Sequence, residues 1–445
     1  MEFTLSQHEA LQRFQQFEKA NHPNKCFILQ GYAGTGKTTL VAHLVATYLK
    51  ERKKIKLMAP TGRAAKVMSN YAKIPASTIH KQIYYLSDAL EGMGLMRAKN
   101  MHRDTLFVVD EASMVGIDTI GKEGDLLGDL MEYVFCGQDC SLMLVGDPGQ
   151  LPPVGQSSSP ALSPAYLELN FPSLRVFSFT LREVVRQASS SQIVQNATNI
   201  RLSTTFKPPF FQKVGAEVIR SSGLELMDHL QSIPYTDMNS FVLLTLSNKR
   251  ADSWNNEIRK RLFGYEEFME RGELLMVVRN NYFWAAEREM GLIANGEMLQ
   301  VKKVLREEEC YGFSFIHVDV ENLDGEAFTV ICFKETVNSG VPNLPRERQK
   351  ELFFEIEQDF VQEKNKRKRY QMIMKSPHFN ALQIKYAYAI TAHKSQGGQW
   401  EYVFIDYSFL PETMEMKGYL QWLYTCITRA TKKVFLLNFP DEFFA

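Results

Sequence analysis

The chain has 445 residues, of which 45% are hydrophobic, so it is long enough for more than one core and we expect two or more domains. Lys plus Arg equals Asp plus Glu, at 51 each, which excludes a bulk positive field but not a local basic groove for nucleic acid. The sequence contains neither a long apolar run nor a basic and apolar leader, which predicts a soluble, cytoplasmic protein. The six scattered cysteines are interpreted as free thiols.

Short apolar runs alternate with helix-period segments from residue 26 to residue 147. The runs are CFIL (26–29), IKLMAP (55–60), LFVVDE (106–111) and SLMLVGD (141–147). Near-continuous apolar strands that alternate with helices predict a parallel sheet covered on both faces. We therefore predict an α/β domain over residues 1–180.

The second half of the chain predicts a further α/β domain that is interrupted. Its runs are FVLLTLS (241–247), KYAYAIT (385–391), YVFIDY (402–407) and KKVFLLNF (432–439). We assign residues 181–270 and 377–445 to this domain. Residues 271–376 differ, because Asn295-Gly296 and Asp324-Gly325 separate short alternating strands and indicate hairpins. This insertion is predicted to be a small antiparallel barrel with a charged helical linker.

The segment from Gly31 to Thr38, GYAGTGKT, follows an apolar run and precedes a helix-period segment. Two glycines with four residues between them, then Lys37 and Thr38, form the pattern of a phosphate-binding loop. Its backbone amides and the helix N-terminus would hold phosphates, Lys37 would add a cation, and Thr38 would offer a hydroxyl to Mg²⁺.

Polar side chains follow two later strands. Asp110 and Glu111 end the run LFVVDE, where Asp110 is predicted to hold Mg²⁺ and Glu111 to polarise the attacking water. Gln150 follows SLMLVGD and is predicted to sense the γ-phosphate. The second carboxylate favours ATP hydrolysis over the chemistry of a small-molecule kinase.

Nine sequence blocks, in the same order along the chain, closely resemble the motifs of the superfamily 1 helicases, in the branch with RecD, Dda and the PIF-type helicases. The blocks that carry the resemblance are LSQHEAL (5–11), GYAGTGKTT (31–39), LMAPTGRAAKVMS (57–69), PASTIHKQI (75–83), VVDEASM (108–114), VGDPGQLPPV (145–154), LREVVRQ (181–187), YAITAHKSQGGQW (388–400) and YTCITRAT (424–431). The resemblance covers nearly the whole chain.

The resemblance implies two RecA-like domains with ATP and Mg²⁺ in the cleft between them. It implies that Arg186 and Arg429 reach the γ-phosphate from the second domain and that Gln7 reads adenine. The other nucleotide-binding residues that it implies are Gly31, Ala33, Gly34, Thr35, Gly36, Lys37, Thr38, Thr39 and Gly397. The DNA-binding residues that it implies are Thr61, Arg63, Thr78, His80, Thr391, His393 and Lys394.

Two features near the expected DNA path have alternative interpretations. In this branch the interval 84–105 carries a pin hairpin that splits the duplex. Here Leu95, Met96 and Arg97 could form its wedge, or the segment is an ordinary exposed loop. The aromatic side chains of Trp254, Phe283 and Trp400 are base-stacking platforms or core residues.

We therefore expect a monomeric ATP-dependent DNA helicase that moves 5′ to 3′ on single-stranded DNA and opens duplex junctions. Replication or repair proteins are the expected partners. The alternatives are a translocase that remodels protein–DNA complexes with weak unwinding, an RNA helicase, and a non-motor ATP-dependent binding switch. The direction of movement comes from the family resemblance alone.

Overall fold

The computed structural model describes residues 3–86, 95–117, 125–185, 190–203, 208–234, 240–284, 293–407 and 415–445. The chain forms two compact units. The first comprises Met1–Ile83, Arg97–Arg220 and Ser395–Ala445, and the second comprises Tyr84–Met96 and Ser221–Lys394. The predicted boundaries at residues 180, 270 and 376 remain predictions. Among the described residues, no helix has the length and apolarity needed to cross a membrane.

Strands and helices alternate through much of the chain. The strands are β1 Lys25–Gly31, β2 Lys54–Ala59, β3 Ala76–Thr78, β4 Tyr84–Leu86, β5 Leu95–Arg97, β6 Thr105–Val109, β7 Ser141–Gly146, β8 Arg175–Leu181, β9 Val218–Ser221, β10 Phe241–Thr245, β11 Leu274–Val277, β12 Met298–Cys310, β13 Phe313–Asn322, β14 Ala327–Phe333, β15 Ile384–Tyr386, β16 Ala389–Thr391, β17 Trp400–Asp406 and β18 Ala430–Leu437.

The α-helices are α1 Leu5–Lys19, α2 Lys37–Lys50, α3 Gly62–Ala72, α4 Ile79–Ile83, α5 Leu126–Phe135, α6 Pro164–Asn170, α7 Gln192–Leu202, α8 Leu226–Ser232, α9 Asn248–Ile258, α10 Arg346–Gln358, α11 Lys366–Met374, α12 Ala392–Ser395 and α13 Met416–Ile427. Short 3₁₀ turns occupy Ala112–Met114, Pro160–Leu162 and Asp441–Phe443, and a π turn occupies Arg259–Phe263.

The first unit is built on a six-stranded sheet of order β3-β2-β6-β7-β1-β8, in which β1 pairs in parallel with both β7 and β8. Successive residues of β6 face opposite sides of the sheet. Val108 packs in a core with Phe14 of α1 and Val41 of α2, while the Phe107 ring lies 5.9 Å from that of Tyr133 on α5. Helices therefore cover both faces, which confirms the predicted α/β class and its parallel sheet.

The second unit contains the predicted antiparallel insertion as a five-stranded sheet of order β14-β13-β12-β11-β15. A bridge between Cys332 of β14 and Leu382, just before β15, connects the two outer strands of this order. The Phe333 N–H donates to the Leu382 carbonyl at 2.9 Å. This closure makes the sheet a small barrel, and two register shifts in β12 supply the bending that closure needs.

The run KYAYAIT, predicted as one strand, is divided between two sheets. Strand β15 pairs antiparallel with β11 in the barrel, whereas β16 pairs in parallel with β10. The buried Asn255 side chain donates to the carbonyls of Tyr386 and Ala389 and accepts from the Ala389 N–H. Asn255 therefore satisfies backbone groups where the chain leaves one sheet for the other, which strand periodicity could not reveal.

The predicted pin segment contains a two-stranded sheet of β4 and β5. Its centre, residues 87–94, lies outside the described residues. Leu95, Met96 and Arg97 form β5 itself and therefore do not make a tip. The Arg97 guanidinium pairs with the carboxylates of Asp129 and Glu132. The wedge itself remains a prediction, and the cation offered for it is paired with acidic side chains of α5.

Candidate active site

The phosphate-binding loop, residues 32–36, connects β1 to α2. Gly34 and Gly36 adopt φ values of 75° and 78°, in the left-handed region that favours glycine. The Thr35 N–H and hydroxyl both bond to the Tyr32 carbonyl, at 3.3 and 2.8 Å. The loop thus curls on itself and presents its remaining amides at the start of a 14-residue helix, an arrangement that can bind phosphate.

The lysine of the loop lies against the loop's own carbonyl groups. Lys37 Nζ donates to the Gly31 carbonyl at 2.5 Å and to the Tyr32 carbonyl at 3.2 Å, and it lies 3.6 Å from Asp147 Oδ2. Thr38, in the first turn of α2, is exposed, and Thr39 beside it is half-buried. The ammonium group therefore lies beside the loop that would bind phosphates.

Two carboxylates lie at the end of β6, as predicted. Asp110 Oδ2 accepts from the Tyr71 hydroxyl at 2.6 Å, and Asp110 Oδ1 accepts from the Glu111 N–H at 2.8 Å. Glu111 has a φ of 51°, an uncommon conformation for a residue with a side chain. Its carboxylate lies 3.8 Å from Arg429 Nη1. Burial raises the pKa of Glu111, while Arg429 opposes that shift.

The Arg429 guanidinium is 4% exposed and lies in the same compact unit as the phosphate loop. It donates from Nε to the Thr425 carbonyl at 3.2 Å and from Nη1 to the Gly398 carbonyl at 3.3 Å. These bonds hold the fork of the guanidinium next to Glu111. The other predicted arginine, Arg186, lies outside the described residues.

A tyrosine that the sequence analysis did not select connects the loop to the block VGDPGQLPPV (145–154). The Tyr424 hydroxyl donates to Asp147 Oδ2 and accepts from the Ala33 N–H, both at 2.8 Å. Asp147 also accepts from the Gly149 N–H at 2.9 Å. Gln150 is 6% exposed, and its Oε1 is buried without a hydrogen-bond partner among the described residues. This acceptor fits a water or a ligand donor, as expected of a nucleotide sensor.

Gln7 lies against the phosphate loop. Its Nε2 donates to the Thr35 carbonyl at 3.2 Å, and its Oε1 accepts from the Thr4 N–H at 3.0 Å, which completes a capping box at the start of α1. A Cβ atom on Gly36 would lie 2.3 Å from Gln7 Nε2. Gln7 therefore positions the loop and packs closely against Gly36, where the φ of 78° favours glycine. Its adenine contact remains a prediction.

The predicted platform residue Trp400 belongs to the core, because it is 1% exposed. The Arg63 guanidinium carbon lies 3.8 Å from the centre of the Trp400 ring, and Arg63 Nη2 donates to the Gln399 carbonyl at 3.3 Å. A Cβ atom on Gly397 would lie 2.6 Å from Ala64 Cβ. This corner thus packs the segment before β17 against α3, with Arg63 8% exposed.

Two threonines among the predicted DNA-binding residues cap helices. Thr61 Oγ1 accepts from the Ala64 N–H at 3.2 Å, and Thr78 Oγ1 accepts from the Lys81 N–H at 3.1 Å. His80 is half-buried in the same unit. These contacts fix the residues at the carboxyl ends of β2 and β3, a common edge of the parallel sheet.

The second unit holds the other predicted DNA-binding residues, Thr391, His393 and Lys394, at the end of β16 and on α12. Lys394 Nζ donates to Asn295 Oδ1 at 2.6 Å. Burial lowers the pKa of Lys394 to about 8 and lowers that of His393. Both side chains therefore lose charge more easily than exposed ones.

Aromatic contacts add residues that the sequence analysis missed. The Arg201 guanidinium carbon lies 3.8 Å from the ring centre of Tyr32, within the phosphate loop. Tyr71 and Tyr424 bond to carboxylates of the site. Tyr424 lies in the block YTCITRAT, which the sequence analysis identified. No sequence pattern predicts its contact with Asp147, because the two residues are far apart in the chain.

Comparisons with known proteins agree with this geometry. Residues 4–205 match the AAA domain family, and residues 386–437 match the UvrD-like helicase C-terminal domain. The ATP-dependent DNA helicase dda of Enterobacteria phage T4 is 25% identical over 58% of this chain and 57% of its own length. The ATP-dependent RecD2 DNA helicase of Deinococcus radiodurans is 30% identical over 39% of this chain and 21% of its own length.

The chain therefore spans less than two thirds of these two curated relatives. A solved structure of Pif1 helicase from Bacteroides, in complex with ADP-AlF3 and single-stranded DNA, has a TM-score of 0.52. That match covers 100% of this chain and 95% of the other at 14% identity, and it supports the fold alone.

Proposed function

We propose that this chain, which matches the AAA domain and UvrD-like helicase C-terminal families and is similar to the RecD2 and Dda helicases, is a superfamily 1 DNA helicase of the branch with RecD, Dda and the Pif1-type enzymes. Its activity is that of an ATP-dependent DNA helicase that hydrolyses ATP at the phosphate loop to move 5′ to 3′ along single-stranded DNA. The direction of movement and the residue roles below are part of the same proposal.

The observation that carries the proposal is the contact between Glu111 and Arg429 next to the phosphate loop. Glu111, with its raised pKa, is suited to accept a proton from the attacking water. Arg429 lies 3.8 Å away and can stabilise negative charge on the transferred phosphoryl group. In related phosphoryl-transfer sites such an arginine contributes about 10³ to 10⁵ in rate. A base and an arginine together favour hydrolysis over simple nucleotide binding.

The residues present fit Mg²⁺, which prefers oxygen ligands. The Thr38 hydroxyl and the Asp110 carboxylate would hold it, and when bound it would neutralise phosphate charge. Lys37 would leave the loop carbonyls for the β- and γ-phosphates. Gln150, with its unpartnered Oε1, would hold the attacking water while Glu111 takes the proton.

Coupling between the nucleotide and the fold would pass through Tyr424. Its hydroxyl contacts the Ala33 amide, a group that phosphates would also contact, and the Asp147 carboxylate. A phosphate that takes the Ala33 amide weakens one of these two bonds. Tyr424 is therefore placed to transmit occupancy of the loop along α13, which ends at Ile427, two residues before Arg429.

We assign strand contacts to Thr61, Thr78 and His80 in the first unit and to Thr391, His393 and Lys394 in the second. Hydroxyls and cations of this kind bind phosphate oxygens and position a strand without reading its sequence. Arg63 is assigned to packing, since its guanidinium is stacked on Trp400. We further propose that the protein works as a cytoplasmic monomer at duplex junctions and meets replication or repair proteins there.

The test measures ATP turnover and strand displacement on matched 5′-tailed and 3′-tailed duplexes of DNA and of RNA. We expect single-stranded DNA to stimulate turnover and only 5′-tailed DNA duplexes to be opened. Glu111→Gln serves as the control, since it should keep ATP and DNA binding while turnover stops. Displacement of 3′-tailed substrates would refute the direction, and turnover that ignores DNA would refute the motor.

If the protein opened RNA duplexes as fast as DNA duplexes, we would assign it as an RNA helicase instead of a DNA helicase. Stimulated turnover with no displacement, but with removal of a bound protein block, would identify a remodelling translocase.

A further inference from the structure

The barrel of the second unit carries a group of side chains that the helicase chemistry does not use. Glu308 and Cys310 lie on β12, two residues apart, so both side chains face the same side of the sheet. His378 lies in the turn after α11. Their ligand atoms all lie within 4.8 Å of one another. Among the described residues, this is the cluster that combines sulfur, nitrogen and carboxylate ligands.

We propose that Glu308, Cys310 and His378 form a binding site for a transition-metal ion of the zinc class. Thiolate, imidazole and carboxylate are the ligands that Zn²⁺ takes in proteins, at about 2.0 to 2.3 Å. Tetrahedral geometry at those bond lengths places ligand atoms about 3.3 to 3.8 Å apart. The observed separations therefore need only a small contraction on binding.

The histidine of the cluster is already oriented for a ligand. The Nε2 atom of His378 is buried and forms an ion pair with Glu308 Oε2 at 3.4 Å, without a well-aligned hydrogen bond among the described residues. The His378 ring packs edge-on against Phe315 and Tyr311, with ring centres 5.0 and 5.6 Å apart. A buried lone ring nitrogen beside a carboxylate is a polar group whose burial a metal would compensate.

A second histidine acts as a positioning residue. His317, on β13, contacts Glu308 Oε2 through Nε2 at 2.6 Å. A residue that hydrogen-bonds to a metal ligand orients that ligand, and its loss weakens metal binding about 10- to 100-fold. Arg306 also lies 3.4 Å from Glu308 Oε2, but it is 65% exposed and can turn to solvent when a cation binds.

The surroundings would allow a bound ion to join two parts of the barrel. Phe313, Phe315 and Phe333 form the core against which Cys310 and Tyr311 pack. A bound ion would connect the β12–β13 hairpin to the turn that follows the charged helices. Three protein ligands leave one coordination position for water. Binding would replace the thiol proton, which leaves to solvent. The inference does not depend on the proposed function.

The test uses the full chain after treatment with a chelator, titrated with Zn²⁺ against a chromophoric chelator and separately with Co²⁺. We expect one equivalent of metal to bind and the Co²⁺ form to show thiolate-to-metal charge transfer. Cys310→Ser should abolish that band, and His378→Ala should weaken binding by more than the about 10- to 100-fold expected for His317→Ala. Cys136→Ser, which changes an exposed free cysteine, should bind as the wild type does.

Thermal unfolding of the metal-free proteins shows whether a variant loses metal binding only because it fails to fold. Metal-free Cys310→Ser and wild type should unfold at the same temperature, and Zn²⁺ should raise the midpoint of the wild type alone. The proposal is overturned if the wild type binds no equivalent, if Cys310→Ser retains the cobalt band, or if Cys136→Ser loses binding equally.

Discussion

Removing the Tyr424 hydroxyl is expected to loosen the phosphate loop. The Tyr424→Phe change keeps the ring, which is 2% exposed, so packing is preserved. It deletes the bond to the Asp147 carboxylate and the bond from the Ala33 N–H, both 2.8 Å long. A hydrogen bond to a charged group is worth about 1.5 to 3 kcal/mol and a neutral one about 0.5 to 1.5 kcal/mol.

Asp147 keeps the Gly149 N–H at 2.9 Å and Lys37 at 3.6 Å, so we expect a net loss of about 2 to 4 kcal/mol. At roughly 2 °C per kcal/mol, the unfolding midpoint of the first unit should fall by about 4 to 8 °C.

The assay is differential scanning calorimetry with and without a non-hydrolysable ATP analogue. The analogue should reduce the difference in unfolding midpoint between the variant and the wild type, because its phosphate would accept a hydrogen bond from the Ala33 N–H in both proteins. Tyr402→Phe is the matched control, since the Tyr402 hydroxyl makes no hydrogen bond with the residues that the structure describes. A midpoint for Tyr424→Phe within 1 °C of wild type, on the same roughly 2 °C per kcal/mol scale, would refute the reasoning.

Three further predictions concern catalysis, packing and pH. Glu111→Gln should lower the rate of ATP turnover by about 10² to 10⁴, the contribution of a positioned base, in single-turnover assays with ATP affinity retained. Arg63→Ala should lower the unfolding midpoint through loss of its contact with Trp400, worth about 2 kcal/mol when desolvated; a weakened DNA affinity with unchanged stability would contradict its packing role. Because burial lowers the Lys394 pKa to about 8, its charge is present below that pH, so DNA affinity measured by anisotropy should weaken from pH 7 to pH 9. Lys394→Met should remove that pH dependence. In the unfolded chain this lysine has a pKa of about 10.4, so between pH 8 and pH 10 the unfolded state binds more protons than the folded state. The contribution of Lys394 to the free energy of unfolding should therefore increase as pH rises from 8 towards 10.

Trp400 is an example of a residue whose role the sequence pattern could not decide. A tryptophan after a glycine pair suits a base platform as well as a core position. In the fold, Arg63 and Gly398 close around it, and a Cβ atom on Gly398 would lie 2.6 Å from the Trp400 ring. The choice depends on α3, which is more than three hundred positions away in the chain, as the Arg63 contact to Gln399 shows.

The sequence by itself determined the phosphate loop, the acidic pair after β6 and the parallel α/β class. These features are local, since a left-handed glycine, a buried strand and a helix start each leave a signal within a few neighbouring residues. Tertiary structure alone decided that Tyr424 reaches Ala33, 391 positions away, and Asp147, 277 positions away. It also decided that His378 meets Glu308 and Cys310. Such contacts depend on how packed elements bring distant side chains together, and packing has no fixed spacing that a sequence pattern could record.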